Sequence, residues 1–99
     1  MRRRARIDEN QPDIVAALRK AGCSVLCLHM LGKGAPDILV GVGGRNILME
    51  IKDGKKVQSA RKLTPDESDF HAEWRGQVAV VGSAEEALKA ISYMKAEKV

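Results

Sequence analysis

Asp37, Glu50 and Lys52 are ionisable residues placed where a strand of ordinary composition would carry Val or Ile. Residues 37–42 read as one strand and 46–52 as the next, with Gly43-Gly44-Arg45-Asn46 as the hairpin loop between them. Successive side chains of a strand point to opposite faces. Glu50 and Lys52 therefore share a face, while Ile47, Met49 and Ile51 take the other. Hairpin pairing brings Asp37, at the start of one strand, beside residues 50–52 at the end of its neighbour. Two carboxylates and an ammonium then converge at one end of a sheet. Hard divalent cations prefer oxygen ligands, so Asp37, Glu50, the backbone carbonyl of Ile51 and a phosphate oxygen can hold one Mg²⁺ or Mn²⁺. Such an ion polarises a phosphoryl group and lowers the pKa of a bound water. Lys52 could orient that water or stabilise charge on the phosphorus. Neighbouring carboxylates keep it protonated, whereas metal binding pushes the other way, so a role as base stays open. An isolated Glu-x-Lys on a strand is an ordinary surface ion pair. The preceding Gly-x-Pro-Asp and the order of the surrounding elements make this one specific.

Those elements are as follows. Residues 10–21 read as a first helix, with Pro12 in its first turn, Ile14, Leu18 and Ala21 on one face, and Gly22 ending it. Residues 24–31 are an apolar run expected to form the first strand, and 32–36 a turn rich in Gly and Pro. After the hairpin comes a polar, lysine-rich loop over 53–62. Thr64 as N-cap, Pro65 at the first helical position and Glu67 three residues after the cap mark a second helix. Phe70 and Trp74 stand one turn apart on it, and Gly76 is expected to close it. Residues 77–81 form a fourth strand. Ser83 and Glu86 repeat the capping pattern before a last helix whose apolar face is Ala87, Leu88, Ile91 and Met94. The order α-β-β-β-α-β-α implies a mixed sheet flanked by helices. Ninety-nine residues allow one domain over 9–99, preceded by a basic arm over 1–8.

Composition narrows the partners. Seventeen Lys and Arg against thirteen Asp and Glu give a net charge of +4, a weak preference for a polyanion. Cys23 and Cys27 have no second cysteine pair, and with His29 they alternate along one strand-like run, so they are expected as core thiols rather than a zinc site. The N-terminus lacks the apolar core of a secretory signal. No apolar run approaches the roughly 20 residues that span a bilayer. The expectation is a cytoplasmic protein, bacterial or phage-encoded, with no membrane partner.

Gly34-Ala35-Pro36-Asp37, the thirteen-residue step to Glu50, and Glu50-Ile51-Lys52 resemble the signature of the PD-(D/E)XK nuclease superfamily. They are most similar to its stand-alone VRR-NUC branch, relevant to phage and bacterial DNA processing and related to archaeal Holliday junction resolvases. The similarity runs from about Asp8 to Leu88 and takes in Leu63-Thr64-Pro65 and Phe70-His71-Ala72-Glu73-Trp74. It implies a restriction-endonuclease-like α-β-β-β-α-β core, here with an added C-terminal helix. It also implies that Asp37 and Glu50 ligate the metal and that Lys52 is the catalytic lysine. Many relatives place on the first helix a Glu that completes the metal site. Gln11 stands there in this chain, among Asp8, Glu9 and Asp13, and either serves through its amide oxygen or belongs to the helix cap. Relatives also often carry Gln where this chain has Glu67, which equally completes a capping box.

The expected activity is Mg²⁺- or Mn²⁺-dependent endonucleolytic cleavage of branched or structured DNA, leaving 5′-phosphate and 3′-hydroxyl ends. The alternatives are a non-catalytic nucleic-acid-binding module and a nuclease subunit of a larger DNA-processing complex. Lys33, Lys55, Lys56, Arg61 and Lys62 flank the site, and Arg2, Arg3, Arg4 and Arg6 form the arm. Either set could contact phosphates, which position DNA without specifying its sequence. No element is left over as a recognition helix. The small core and the apolar stripe of the last helix imply a symmetric homodimer.

Overall fold

The computed structural model describes residues 7–56 and 61–96. The four arginines of the arm and part of the lysine-rich loop lie outside the described residues. The elements are α1 (Gln11–Lys20), β1 (Ser24–Cys27), β2 (Ile38–Val42), β3 (Arg45–Ile51), α2 (Pro65–Glu73), β4 (Val78–Val81) and α3 (Ala84–Ala96). They form a small α/β fold around one four-stranded mixed sheet of order β1-β2-β3-β4. The first two pairings are antiparallel and β3 runs parallel to β4. No helix among the described residues is long and apolar enough to cross a membrane.

Local chemistry accounts for the boundaries. Gly22, at φ +97°, lets α1 close: its N–H donates to Arg19 O and the Cys23 N–H donates to Leu18 O, both at 3.0 Å. The β2–β3 turn is tighter than the expected four-residue loop. Gly43 and Gly44 both take positive φ, +59° and +79°, as a two-residue hairpin turn of this twist requires, so Arg45 and Asn46 join the strand. β1 is shorter than the apolar run 24–31. Its ladder follows Cys27↔Ile38, the Leu28 N–H still donates to Asp37 O at 2.7 Å, and the next partner would be Pro36, which has no N–H. The chain therefore turns at Leu28, with the Leu31 N–H on Leu28 O at 2.9 Å.

At α2 the capping box forms as expected: the Glu67 N–H donates to Thr64 Oγ1 (3.2 Å) and the Thr64 N–H donates to Glu67 Oε1 (2.9 Å). The helix ends at Glu73, before Gly76, because Trp74 is already extended at ψ 127°. Its ring stacks on Phe70 with centroids 5.2 Å apart. Ser83 caps α3 through the Glu86 N–H at 3.1 Å. The Glu86 carboxylate reaches past Ser83 to the Gly82 N–H at 2.6 Å.

The core lies on one face of the sheet. Ile38, Val40 and Val42 of β2, Ile47, Met49 and Ile51 of β3, and Val81 of β4 pack under Ile14, Val15 and Leu18 of α1 and Ala87, Ile91 and Met94 of α3. Each large aliphatic side chain buried there contributes about 1.5–3 kcal/mol. Leu88, expected on the buried face of α3, is 36% exposed, so the stripe is covered by this chain's own sheet through the other three. The opposite face carries Leu26, Leu39, Leu48 and Val78 in one row, with Glu50 and Val80 above it. Here the cover is sparse: α2 buries no residue, and Leu26 and Val80 are exposed.

What fixes α2 on this face is backbone contact as well as polar bonding. Gly34, at φ +79°, lies against the first turn of α2 so closely that a Cβ would strike the Asp66 carbonyl. Gly34→Ala is therefore expected to cost at least about 2 kcal/mol and to lower the thermal midpoint by about 10 °C. Gly43→Asn, at a turn position that tolerates Asn and has open space around it, should leave the midpoint nearly unchanged. Equal midpoints for the two variants in a melting experiment would contradict this packing.

Candidate active site

The β2–β3 register pairs Ile38 with Met49, and continuing it one step sets Asp37 opposite Glu50. Both lie on the face away from α1 and α3. β2 has not yet begun at this level, so the Ile51 N–H has no strand carbonyl to meet. The Asp37 carboxylate takes it instead, with Oδ2 accepting at 2.7 Å. In a strand the N–H and C=O of one residue point the same way, so the Ile51 carbonyl is directed toward the same side. Glu50 is 3% exposed, and its Oε1 is buried without a hydrogen-bond partner. Lys52 follows on the same face. Its Nζ lies 2.8 Å from Glu67 Oε1 and 3.9 Å from Glu50 Oε2, while its N–H continues the parallel ladder to Val81 O at 2.9 Å. A cavity of about 420 Å³ opens here, lined by Asp37, Glu50, Ile51 and Lys52, by the turn at Gly32 and Gly34, by Thr64, Asp66 and Glu67 of α2, and by Asp8 and His29.

Burial and crowding of like charge set the electrostatics. Glu50 is pushed up to about 9, by burial first and then by the Asp37 carboxylate, with Lys52 only partly opposing. Burial also raises Asp37, against the pull of the Ile51 N–H. Asp8 is raised by burial and by Asp37. Burial alone would raise Glu67, but the hydrogen bonds from Lys52 and the Thr64 N–H outweigh it and leave the carboxyl below its ordinary value. Burial alone would lower Lys52, but Glu67, Glu50 and Asp8 outweigh it and raise the amine. The two partners of the Lys52–Glu67 pair thus agree that both are ionised.

Of the residues expected at the site, Asp37, Glu50, Ile51 and Lys52 come together. Gln11 does not line the cavity. Its Nε2 lies 3.9 Å from Cys27 Sγ and its Oε1 is buried without a partner. The reason is sidedness: Cys27 pairs with Ile38 on the core face, under α1, whereas Asp37 and Glu50 face the other way. Asp8, just ahead of α1, reaches the cavity instead. Glu67 completes the capping box, and the oxygen that accepts from the Thr64 N–H also accepts from Lys52. His29 enters because β1 stops at Cys27. The signal was Pro36, whose missing N–H ends the ladder beside it. Cys23 is buried as expected, but Cys27, also expected in the core, is exposed because it ends β1, the edge strand of the sheet.

Among the described residues no three His, Cys, Asp or Glu side chains are grouped to share an ion. The donor set at the cavity is nonetheless all oxygen: the unpartnered Glu50 Oε1, Asp37 and the Ile51 carbonyl. A buried and a half-buried carboxylate whose mutual repulsion a cation would relieve fit a hard divalent ion completed by water or phosphate.

The raised carboxyls give stability a sign against pH. Their folded forms hold protons that the unfolded chain releases from about 4.5 upward, so their contribution is full in acid and is lost as pH climbs toward about 9. Glu67 acts in the opposite sense, its contribution being lost as pH falls through its lowered value. In chelator-treated protein, urea unfolding should show stability declining from about pH 5 to about pH 9, and Glu50→Gln should flatten most of that decline. The same slope in wild type and variant would mean that Glu50 is not the group responsible.

No protein-family model, curated protein or solved structure matches the chain.

Proposed function

We propose that the chain is a metal-dependent endodeoxyribonuclease of the PD-(D/E)XK type, with a restriction-endonuclease-like core, acting on branched or otherwise structured DNA. The observation behind this is the convergence of a buried carboxylate with an unpartnered oxygen, a half-buried one and a lysine at the end of one hairpin. Asp37, Glu50 and the Ile51 carbonyl would hold Mg²⁺ or Mn²⁺. When bound, such an ion sets positive charge against the phosphoryl oxygens and eases deprotonation of water.

The chain's own residues supply the rest. Glu67 fixes the Lys52 ammonium in place, and the surrounding carboxylates keep it protonated, so Lys52 serves as a donor to charge that develops on the phosphate. Ile51 fixes one oxygen of Asp37 through its N–H, and a cation would take the place of the proton that Asp37 and Glu50 share. Asp8 offers the additional carboxylate that relatives take from the first helix.

Shape rather than base sequence should govern substrate choice. Lys33, Lys55, Lys56 and Lys62 are exposed near the site and suit phosphate contacts, which position DNA without reading its sequence. A homodimer belongs to the same proposal. Its support shifts from α3, which is covered within the chain, to the open edge of β1, where Leu26, Met30 and Leu31 are exposed.

With Mn²⁺ the protein should cut a four-way junction and leave linear duplexes of the same arm sequences largely intact. Asp37→Asn, Glu50→Gln and Lys52→Ala should each lower the cleavage rate by at least about 10²-fold while junction retention in Ca²⁺ persists. Wild-type cleavage by Lys52→Ala would remove the assignment of the catalytic strand. Metal-indifferent retention without cutting would favour a binding module.

A further inference from the structure

The cavity is lined by five carboxylates, Asp8, Asp37, Glu50, Asp66 and Glu67, against two basic side chains, Lys52 and His29. A phosphodiester entering it needs hydrogen-bond donors that are not already taken. Lys52 gives one of its three N–H donors to Glu67 at 2.8 Å and keeps the others for the phosphate. His29 is not engaged: its Nδ1 is buried without a partner, and its Nε2 makes no hydrogen bond to the described residues. In the neutral ring one nitrogen carries the proton. A buried N–H facing no acceptor is a rarer and costlier orphan than a bare ring nitrogen, which favours the tautomer with the proton on Nε2. That leaves an unclaimed Nε2–H donor in the cavity.

Its position is also fixed. The residue before it, Leu28, donates its N–H to the Asp37 carbonyl at 2.7 Å, so the His29 turn is tied to the backbone that carries Asp37. The Leu31 N–H closes the turn on Leu28 O. The imidazole is thus held from the β1 side of the cavity, while Lys52 reaches it from β3.

We propose that His29 is a catalytic residue of this site, its Nε2–H donating to a non-bridging oxygen of the scissile phosphate. The role rests on the nuclease function proposed above. His29 transfers no proton: it stabilises charge that builds on that oxygen as water adds to phosphorus and gives up a proton to solvent, while the bond to the 3′ oxygen breaks and that oxygen takes a proton from solvent.

The test uses the full chain with Mn²⁺ and a four-way junction, and compares His29→Ala, His29→Phe and His29→Gln. Ala and Phe should lower kcat by about 10²-fold with KM changed by less than about threefold, because the contact matters in the transition state. Gln, which keeps an N–H at similar reach, should recover at least about tenfold of that loss. A residue that merely packs gives the reverse, with Phe active and Gln not, and that pattern overturns the proposal. So does wild-type kcat in His29→Ala.

A second readout does not depend on turnover. On adding a short DNA oligonucleotide with Ca²⁺, the ring ¹⁵N resonance of His29 Nε2 should shift, and an unmoved resonance overturns the contact. If wild-type protein cuts no DNA at all, the nuclease function falls and the ring resonance alone decides whether His29 meets phosphate.

Discussion

Asp37 and Glu50 are held opposite one another at the open end of the β2–β3 hairpin, Glu50 buried and Asp37 half-buried. Two carboxylates so placed cannot both ionise without a compensating charge, and much of the architecture around them limits that cost. The Ile51 N–H anchors one oxygen of Asp37, Lys52 approaches Glu50, and Glu67 of α2 fixes Lys52. The arrangement depends on the register. A slip of one residue would send Glu50 into the core and Met49 into the cavity. The Gly43-Gly44 turn at one end and the apolar row Ile47, Met49 and Ile51 under α1 and α3 hold that register.

The two faces of the sheet divide the work. Under α1 and α3 the packing is apolar and supplies most of the burial. Over the other face α2 contributes no buried residue, and it is placed by its first turn, through the Thr64–Glu67 cap, the Lys52–Glu67 bond and the close approach of Gly34. One oxygen of Glu67 thus joins a helix cap to the site lysine. The face nearest the charged groups is the less densely covered one, which leaves room for a large polyanion to approach.

Much of this was legible in the sequence because it rests on short-range rules. Strand alternation placed Glu50 and Lys52 together, and Thr64-Pro65 with Glu67 announced α2. The order of seven elements followed from apolar periodicity and breakers. What escaped depended on long-range contact. The reach of β1 is not legible locally: an apolar run continues past Cys27, and only the pairing with β2 reveals that Pro36 ends the ladder. His29 came into the cavity for that reason. Gln11 was placed by helical spacing, but the side of the sheet that α1 covers decides that it meets Cys27, while Asp8 meets the carboxylates. Leu88 lies at the rim of its helical face, where periodicity alone does not separate covered from exposed.

The proposed site requires a cation for the half-buried Asp37 and the buried Glu50 to be ionised together. Calorimetric titration of Mg²⁺ or Mn²⁺ at pH 7.5, in buffers of different ionisation enthalpy, counts the protons released on binding. With Glu50 near 9 in the metal-free protein, wild type should release close to one proton per site. Glu50→Gln, if it binds the ion at all, should release almost none. Metal binding to wild type without proton release, or with the same release from Glu50→Gln, would contradict the account.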